Sequence, residues 1–241
     1  MNKIKIRIII LGHLPADIEL TNINEWRSDI FELQGLIENY ALRSDSDTED
    51  WGYTDQNISG GIPNRGDEEI LFVLMNVPLE DNYYTRRINN NTVVFTFHEI
   101  SGFLRQQNIP LENVIYRLLY AYSFVYKEHN NKIPQNSEYT NFTHDETRRC
   151  IYDMNGLKED IVFSCVEPII CLECSERLAK NKISQTQISR AKNELRNIKK
   201  QLFYRISDWV KRHPVLTVVV SSIWALILSI LGSVIVNGIS T

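Results

Sequence analysis

The residues best able to do chemistry in this chain are four cysteines, Cys150, Cys165, Cys171 and Cys174, with His144 just upstream. Cys171-Leu-Glu-Cys174 has the two-residue gap that lets two thiolates of one tight turn grip a single tetrahedral ion, for which zinc is the expected cofactor. The remaining ligands must come from elsewhere: Cys150 is the expected third, and His144 or Cys165 the fourth. Two alternatives stay open: four separate core thiols, or a redox pair, which is less favoured because no βαβ pattern begins at the CxxC. A reducing cytosol, the placement reached below from charge, disfavours disulfides and leaves metal binding or burial. Arg148 and Arg149, beside Cys150, either bind an anionic ligand or, as favoured here, pair with nearby acids. No phosphate-cradling glycine loop with its lysine, no G-x-S-x-G and no kinase set is present.

The elements that must position these residues alternate between strand and helix. Ile4, Ile6 and Ile8 set between Lys3, Lys5 and Arg7 read as a strand. Ile23, Trp26, Ile30, Leu33, Ile37 and Tyr40 recur at steps of three and four, the pattern of an amphipathic helix. Residues 44–67, rich in Ser, Asp, Asn and Gly, read as a long solvated loop. Residues 70–75 and 92–97 read as buried strands, and the rows after Pro110 as a largely buried helix to about Lys127. The expected fold class is a mixed α/β (α+β) domain over residues 1–179.

Charge divides the rest of the chain. The 241 residues carry a net charge of -4, yet residues 180–212 hold ten Lys or Arg against Glu194 and Asp208. Residues 180–213 are therefore a basic neck, with Ile188, Ala191, Leu195, Ile198 and Leu202 on one helical seam, a candidate for self-association. Its cations can also meet anionic lipid head groups, whereas nucleic acid is disfavoured because few aromatics are interleaved. Residues 214–241 hold no charge, and residues 215–236 read VLTVVVSSIWALILSILGSVIV. At about 1.5 Å per residue such a run spans a bilayer core of roughly 30 Å. The start, KIKIRIIILG, lacks the cleavage site of a signal peptide. Basic charge on one flank alone places residues 1–213 in the cytoplasm, anchored by a single C-terminal transmembrane helix in the cytoplasmic (inner) membrane.

His144-Asp145, Cys150 five residues on, Met154 and then Cys171-Leu-Glu-Cys174 resemble the C-terminal end of the archaemetzincins, and IRIIILGHLP resembles their opening strand and Leu-Gly turn. Those zinc peptidases carry a third catalytic histidine followed directly by a cysteine, a second cysteine, a methionine and a closing CxxC. The resemblance implies a zincin-like head in which Cys150, Cys171 and Cys174 hold structural zinc, with Asp145 or His144 as the fourth ligand. Asp145 stands where the family has its first cysteine, and Met154 is displaced by two residues. The catalytic motif departs further. The family's His-Glu-x-x-His should begin ten residues before the third histidine, and residues 134–138 read PQNSE. The remaining catalytic candidates are His98 with Glu99, and His129, which with His144 would need an unfamiliar geometry.

Two functions compete on this reading. The favoured one is a membrane-anchored sensor or effector, of the kind used in bacterial stress or antiviral defence, whose zinc-stapled, noncatalytic head binds a protein or small-molecule ligand. In it the tail oligomerises through small residues such as Ser221, Ser222 and Gly232. The other is a membrane-tethered zinc metallopeptidase with an atypical site.

Overall fold

Ile4, Ile6, Ile8 and Ile10 point to one side of strand β1, Ile4–Leu11, and Ile9 and Leu11 to the other, all of them buried in the computed structural model. The structure describes residues 2–89, 91–138 and 140–239, with side chains to Gly232. Burial on both faces fits a central strand of a parallel sheet. β1 pairs in parallel with β2 (Phe31–Leu33) and β3 (Glu38–Tyr40) on one edge and with β4 (Ile70–Met75) on the other. β4 pairs in parallel with β6 (Thr92–Thr96), and β5 (Thr85–Ile88) closes the far edge antiparallel to β6. The strand order is β2-β1-β4-β6-β5.

The expected amphipathic helix over Ile23–Tyr40 does not form. Only α1, Leu20–Glu25, is helical there, and Phe31–Leu33 and Glu38–Tyr40 join the sheet edge. Ser28, whose Oγ accepts from the Ile30 amide, and Gly35, at φ +69°, break the helix between them. The apolar residues are still used: Ile23, Ile30 and Phe31 are fully buried and Trp26 stacks on Tyr116 at 4.0 Å. Tertiary packing has overridden the helical period. The expected solvated loop at residues 44–67 contains α2, Asp55–Gly61, capped by the Thr54 hydroxyl and anchored by Ile58 on the smaller face of the sheet.

The larger face packs on α3 (Ile100–Gln106) and on α4 (Glu112–Glu128), in which every residue from Glu112 to Tyr126 is buried. A helix buried all round belongs in the middle of a domain, and α4 takes Glu112, Asn113, Arg117 and Ser123 there with its apolar residues. The sheet covers one side of α4, and α5 (Leu172–Lys180), α6 (Gln185–Leu195) and the cysteine-bearing segments share its core. We expect Leu119→Ala, which empties a fully buried site on α4, to cost about 2–5 kcal/mol in urea unfolding. A cost near zero would contradict the packing described.

The chain forms two compact units, the first reaching Lys199 and the second starting at Lys200. The apolar register expected along one neck helix is divided accordingly. α6 ends at Leu195, and Ile188, Ala191, Leu195 and Ile198 are buried in the first unit's core. Glu194 fixes α6 there by accepting from Ser28 Oγ at 2.7 Å, the Asp29 amide at 2.9 Å and the Tyr120 hydroxyl at 2.6 Å. The second unit holds α7 (Leu202–Arg212) and α8 (Pro214–Ile239). Residues Pro214–Gly232 are long and apolar enough to cross a membrane, with a mean hydropathy of 2.4 and no burial within the fold.

Candidate metal centre

Three backbone segments converge around the cysteines. The chain at His144 runs beside Asp153, with the His144 amide donating to the Tyr152 carbonyl at 3.2 Å and the Met154 amide to the His144 carbonyl at 3.0 Å. Cys150 lies beside Ile169, fixed by bonds from the Ile151 amide to Ile169 and from the Ile169 amide to Arg149. Cys171 then caps the N-terminus of α5, its sulfur accepting from the Cys174 amide at 3.5 Å. An acceptor is well placed there, where a helix presents its unpaired N–H groups.

The donor atoms of His144, Cys150, Cys171 and Cys174 all lie within 4.8 Å of one another. His144 Nε2 is 3.7 Å from Cys171 Sγ, and Cys150 Sγ accepts from the Cys171 amide at 3.5 Å. Donors sharing one tetrahedral zinc at the usual bond lengths stand roughly 3.4–3.8 Å apart, a spacing the His144–Cys171 pair meets at 3.7 Å, and the whole set is close enough to hold one ion. Three soft thiolates with one imidazole select zinc over the hard cations that favour oxygen. Cys150 and Cys174 are buried beside each other, and their interaction holds the Cys150 thiol down and pushes that of Cys174 up. Among the described residues no other group of three or more such donors converges.

The surroundings orient the tetrad. His144 Nδ1 lies 2.9 Å from the Glu146 carbonyl and 3.5 Å from Asp153 Oδ1, leaving Nε2 to face the sulfurs. A carbonyl or carboxylate behind a ligating histidine fixes its tautomer and ring angle. The buried Asp153 carboxylate also accepts from the backbone amides of Arg148 and Cys150, at 3.1 and 3.0 Å, and so shapes the loop that presents Cys150. Arg177, one helical turn beyond Cys174, points Nη1 at the Cys174 sulfur from 3.8 Å while its Nε meets the Glu128 carboxylate at 3.0 Å. Three thiolates around a dication leave a net negative charge, which that guanidinium offsets.

The other candidates lie apart. Asp145 is exposed and outside the tetrad, while the His144 imidazole beside it turns inward to the sulfurs. Cys165 is fully buried, and burial pushes its thiol up to about 12, which keeps it a neutral core group. His98 is half-buried just beyond β6, its amide donating to Thr96 Oγ1. Glu99 is exposed, and the Lys158 ammonium at 2.7 Å holds its carboxyl below the usual range. His129 ends α4, with Nδ1 2.9 Å from the Val125 carbonyl. Arg148 pairs with Glu146 and Glu173, and Arg149 donates to the Val166 and Glu167 carbonyls. Reading the sequence missed Asp153, Glu128 and Arg177. Of these only Arg177, at helical spacing from the CxxC, carried a signal.

Fold and tetrad together define a mixed α/β domain with a candidate closed metal centre of the structural kind. No protein-family model matches the chain, and no curated protein matches it in sequence. Among solved structures it is similar to a crystal structure of archaemetzincin from Methanopyrus kandleri, at 14% identity and a TM-score of 0.42, over 75% of this chain and 96% of that chain.

Proposed function

We propose that this chain is a membrane-anchored binding protein whose head is stapled by one structural zinc and performs no peptidase chemistry. The observation that carries the reading is the completeness of the tetrad. Four protein donors fill a tetrahedral shell, so no position is left for the water that a catalytic zinc activates. His98 and His129 lie outside it, and among the described residues they do not join a second group of three donors. The experiment is elemental analysis of the full chain in detergent beside a peptide-cleavage assay. One zinc per chain without cleavage is expected. Two zincs, with cleavage lost on separate substitution of His98, His129 and His144, would overturn the reading.

The membrane part of the proposal rests on α8 and on α7. Leu202, Phe203, Ile206, Trp209 and Val210 of α7 are exposed apolar residues at helical spacing, and Lys211 and Arg212 follow them. An amphipathic helix of this kind lies in the head-group region, its apolar face in the lipid and its cations against anionic head groups. The head would then face the cytoplasm and act there as a sensor or effector. With the α6 residues buried in the head, self-association would draw on α7 and α8. In bacterial cells the chain should stay with carbonate-washed membranes. Replacing Leu226 and Ile230 with arginine, at about 2.5–3.5 kcal/mol each near the centre of a span, should release it. Retention of that variant in the membrane would refute a spanning α8.

A further inference from the structure

A cleft of about 850 Å³ opens between the edge strand β5, helix α4 and the loop that carries the metal ligands. Its cations divide into two groups. Arg86 is neutralised by Asp55 at 2.8 Å and Glu80 at 2.9 Å, and Lys158 by Glu99 at 2.7 Å. Arg87 and Arg117 have no carboxylate within 4.0 Å among the described residues, although Glu138 and Asp153 lie close enough to favour their charges. Arg87, half-buried on β5, donates to Thr140 Oγ1 at 3.2 Å and lies over the Phe142 ring. Arg117 is only 1% exposed. Its Nη2 donates to the Asp153 carbonyl at 2.7 Å and its charge lies near Tyr84 and the Asp153 carboxylate, while Nε and Nη1 have no hydrogen-bond partner among the described residues.

Open donors on a buried guanidinium favour an acceptor-rich ligand, because unpaired polar groups are costly in a low-dielectric site. Arg87, half-buried, lines the same cleft. A carboxylate offers one charge, whereas a phosphoryl group offers roughly -1.5 to -2 and three strong acceptor oxygens. The same cleft holds the opposite need. Asn155 is 3% exposed; its amide nitrogen donates to the Asp153 carbonyl, but its Oδ1 has no donor facing it. A ligand that satisfies both carries a phosphoryl group and, a few bonds away, a hydroxyl or amino group.

The geometry points to a binding site for a small organic phosphate, with Arg117 and Arg87 on the phosphoryl oxygens and Asn155 Oδ1 accepting from the ligand's hydroxyl or amine. This deepens the binding reading above by naming the ligand class. Asp153 joins the two sites, since its carbonyl holds Arg117 while its carboxylate orders the loop of His144 and Cys150.

The test is isothermal titration of the full, zinc-loaded chain in detergent with inorganic phosphate, ribose 5-phosphate and succinate at constant ionic strength. Ribose 5-phosphate should bind more tightly than inorganic phosphate, and succinate more weakly than either. Arg87→Gln and Arg117→Lys should each weaken ribose 5-phosphate by about tenfold or more while zinc stays at one per chain. Arg87 is near the surface, so its variant remains informative if the buried substitution fails to fold. Absence of binding by both phosphates, succinate binding as tightly as they do, or an unchanged affinity in Arg87→Gln would overturn the inference. Zinc content and peptide cleavage, read on the same preparation, report separately on the structural-zinc reading.

Discussion

Cys150→Ser should strip the chain of zinc and abolish cooperative unfolding of the head, the largest effect expected of any single substitution here. Cys150 is fully buried at the meeting point of three segments, and its sulfur takes the Cys171 amide as well as facing the other donors. A structural zinc contributes about 10–16 kcal/mol of apparent binding free energy at neutral pH in small domains. Net domain stability is only about 5–15 kcal/mol, so losing the ion removes a contribution as large as the whole. The apolar core under α4 still favours collapse, so the expected product is a compact head whose residues 143–171 have come loose. Cys165→Ser is the matched control. It puts a hydroxyl at a fully buried site outside the tetrad, so it should cost about 1–3 kcal/mol and leave zinc untouched. Elemental analysis with urea unfolding followed by circular dichroism measures both. A Cys150→Ser chain that keeps its zinc, or a Cys165→Ser chain that loses it, would show that the tetrad is not the metal site.

The contrast between those cysteines marks how far the sequence could be read. Three of the four ligands follow from the two-residue gap and from Cys150 upstream of it. The choice of His144 over Asp145 and Cys165 depends on the turn at residues 144–154, which is set by buried hydrogen bonds to Asp153, an acid with nothing in its sequence context to distinguish it. β1, β4, β6 and α4 were legible because their periods agree with their burial. The misread segment at Ile23–Tyr40 has a helical period by composition, yet its residues are recruited one by one to a sheet edge and to the core around Tyr116 and Tyr120. Similarly, the α6 seam is visible in the sequence, but whether it meets another copy or its own head depends on Glu194 accepting from Ser28, Asp29 and Tyr120, all far away in the chain. Long-range polar contacts of this kind leave no local periodicity. The Arg117 cleft is hidden for the same reason, since an arginine within a helix reads as a solvated position until α4 is seen to be buried all round.

Arg177→Met should destabilise the head by about 3–5 kcal/mol, the usual cost of leaving a buried charge without its partner. The side chain of Glu128 is only 4% exposed, and its carboxylate is held by Arg177 Nε at 3.0 Å and by the Asn181 amide. Methionine preserves the stem and most of the packing over the Tyr152 ring, which the guanidinium covers from 4.5 Å, so the loss reports the charge more than the volume. The same substitution removes the donor to the Phe142 carbonyl at 2.7 Å and the cation nearest the Cys174 sulfur. Zinc affinity, read by competition with a chelator, should therefore fall by about 10–100-fold, the scale on which partners of metal ligands act. Adding Glu128→Gln separates the two effects. With the orphaned carboxylate neutralised, most of the stability should return, while the zinc affinity should stay low because the thiolates still lack their cation. If Arg177→Met unfolds within about 0.5 kcal/mol of the parent, the pair is solvated and contributes no more than a surface contact. If the double substitution restores zinc affinity along with stability, Arg177 acts on the metal only through the fold, and its charge has no part in holding three thiolates at one ion.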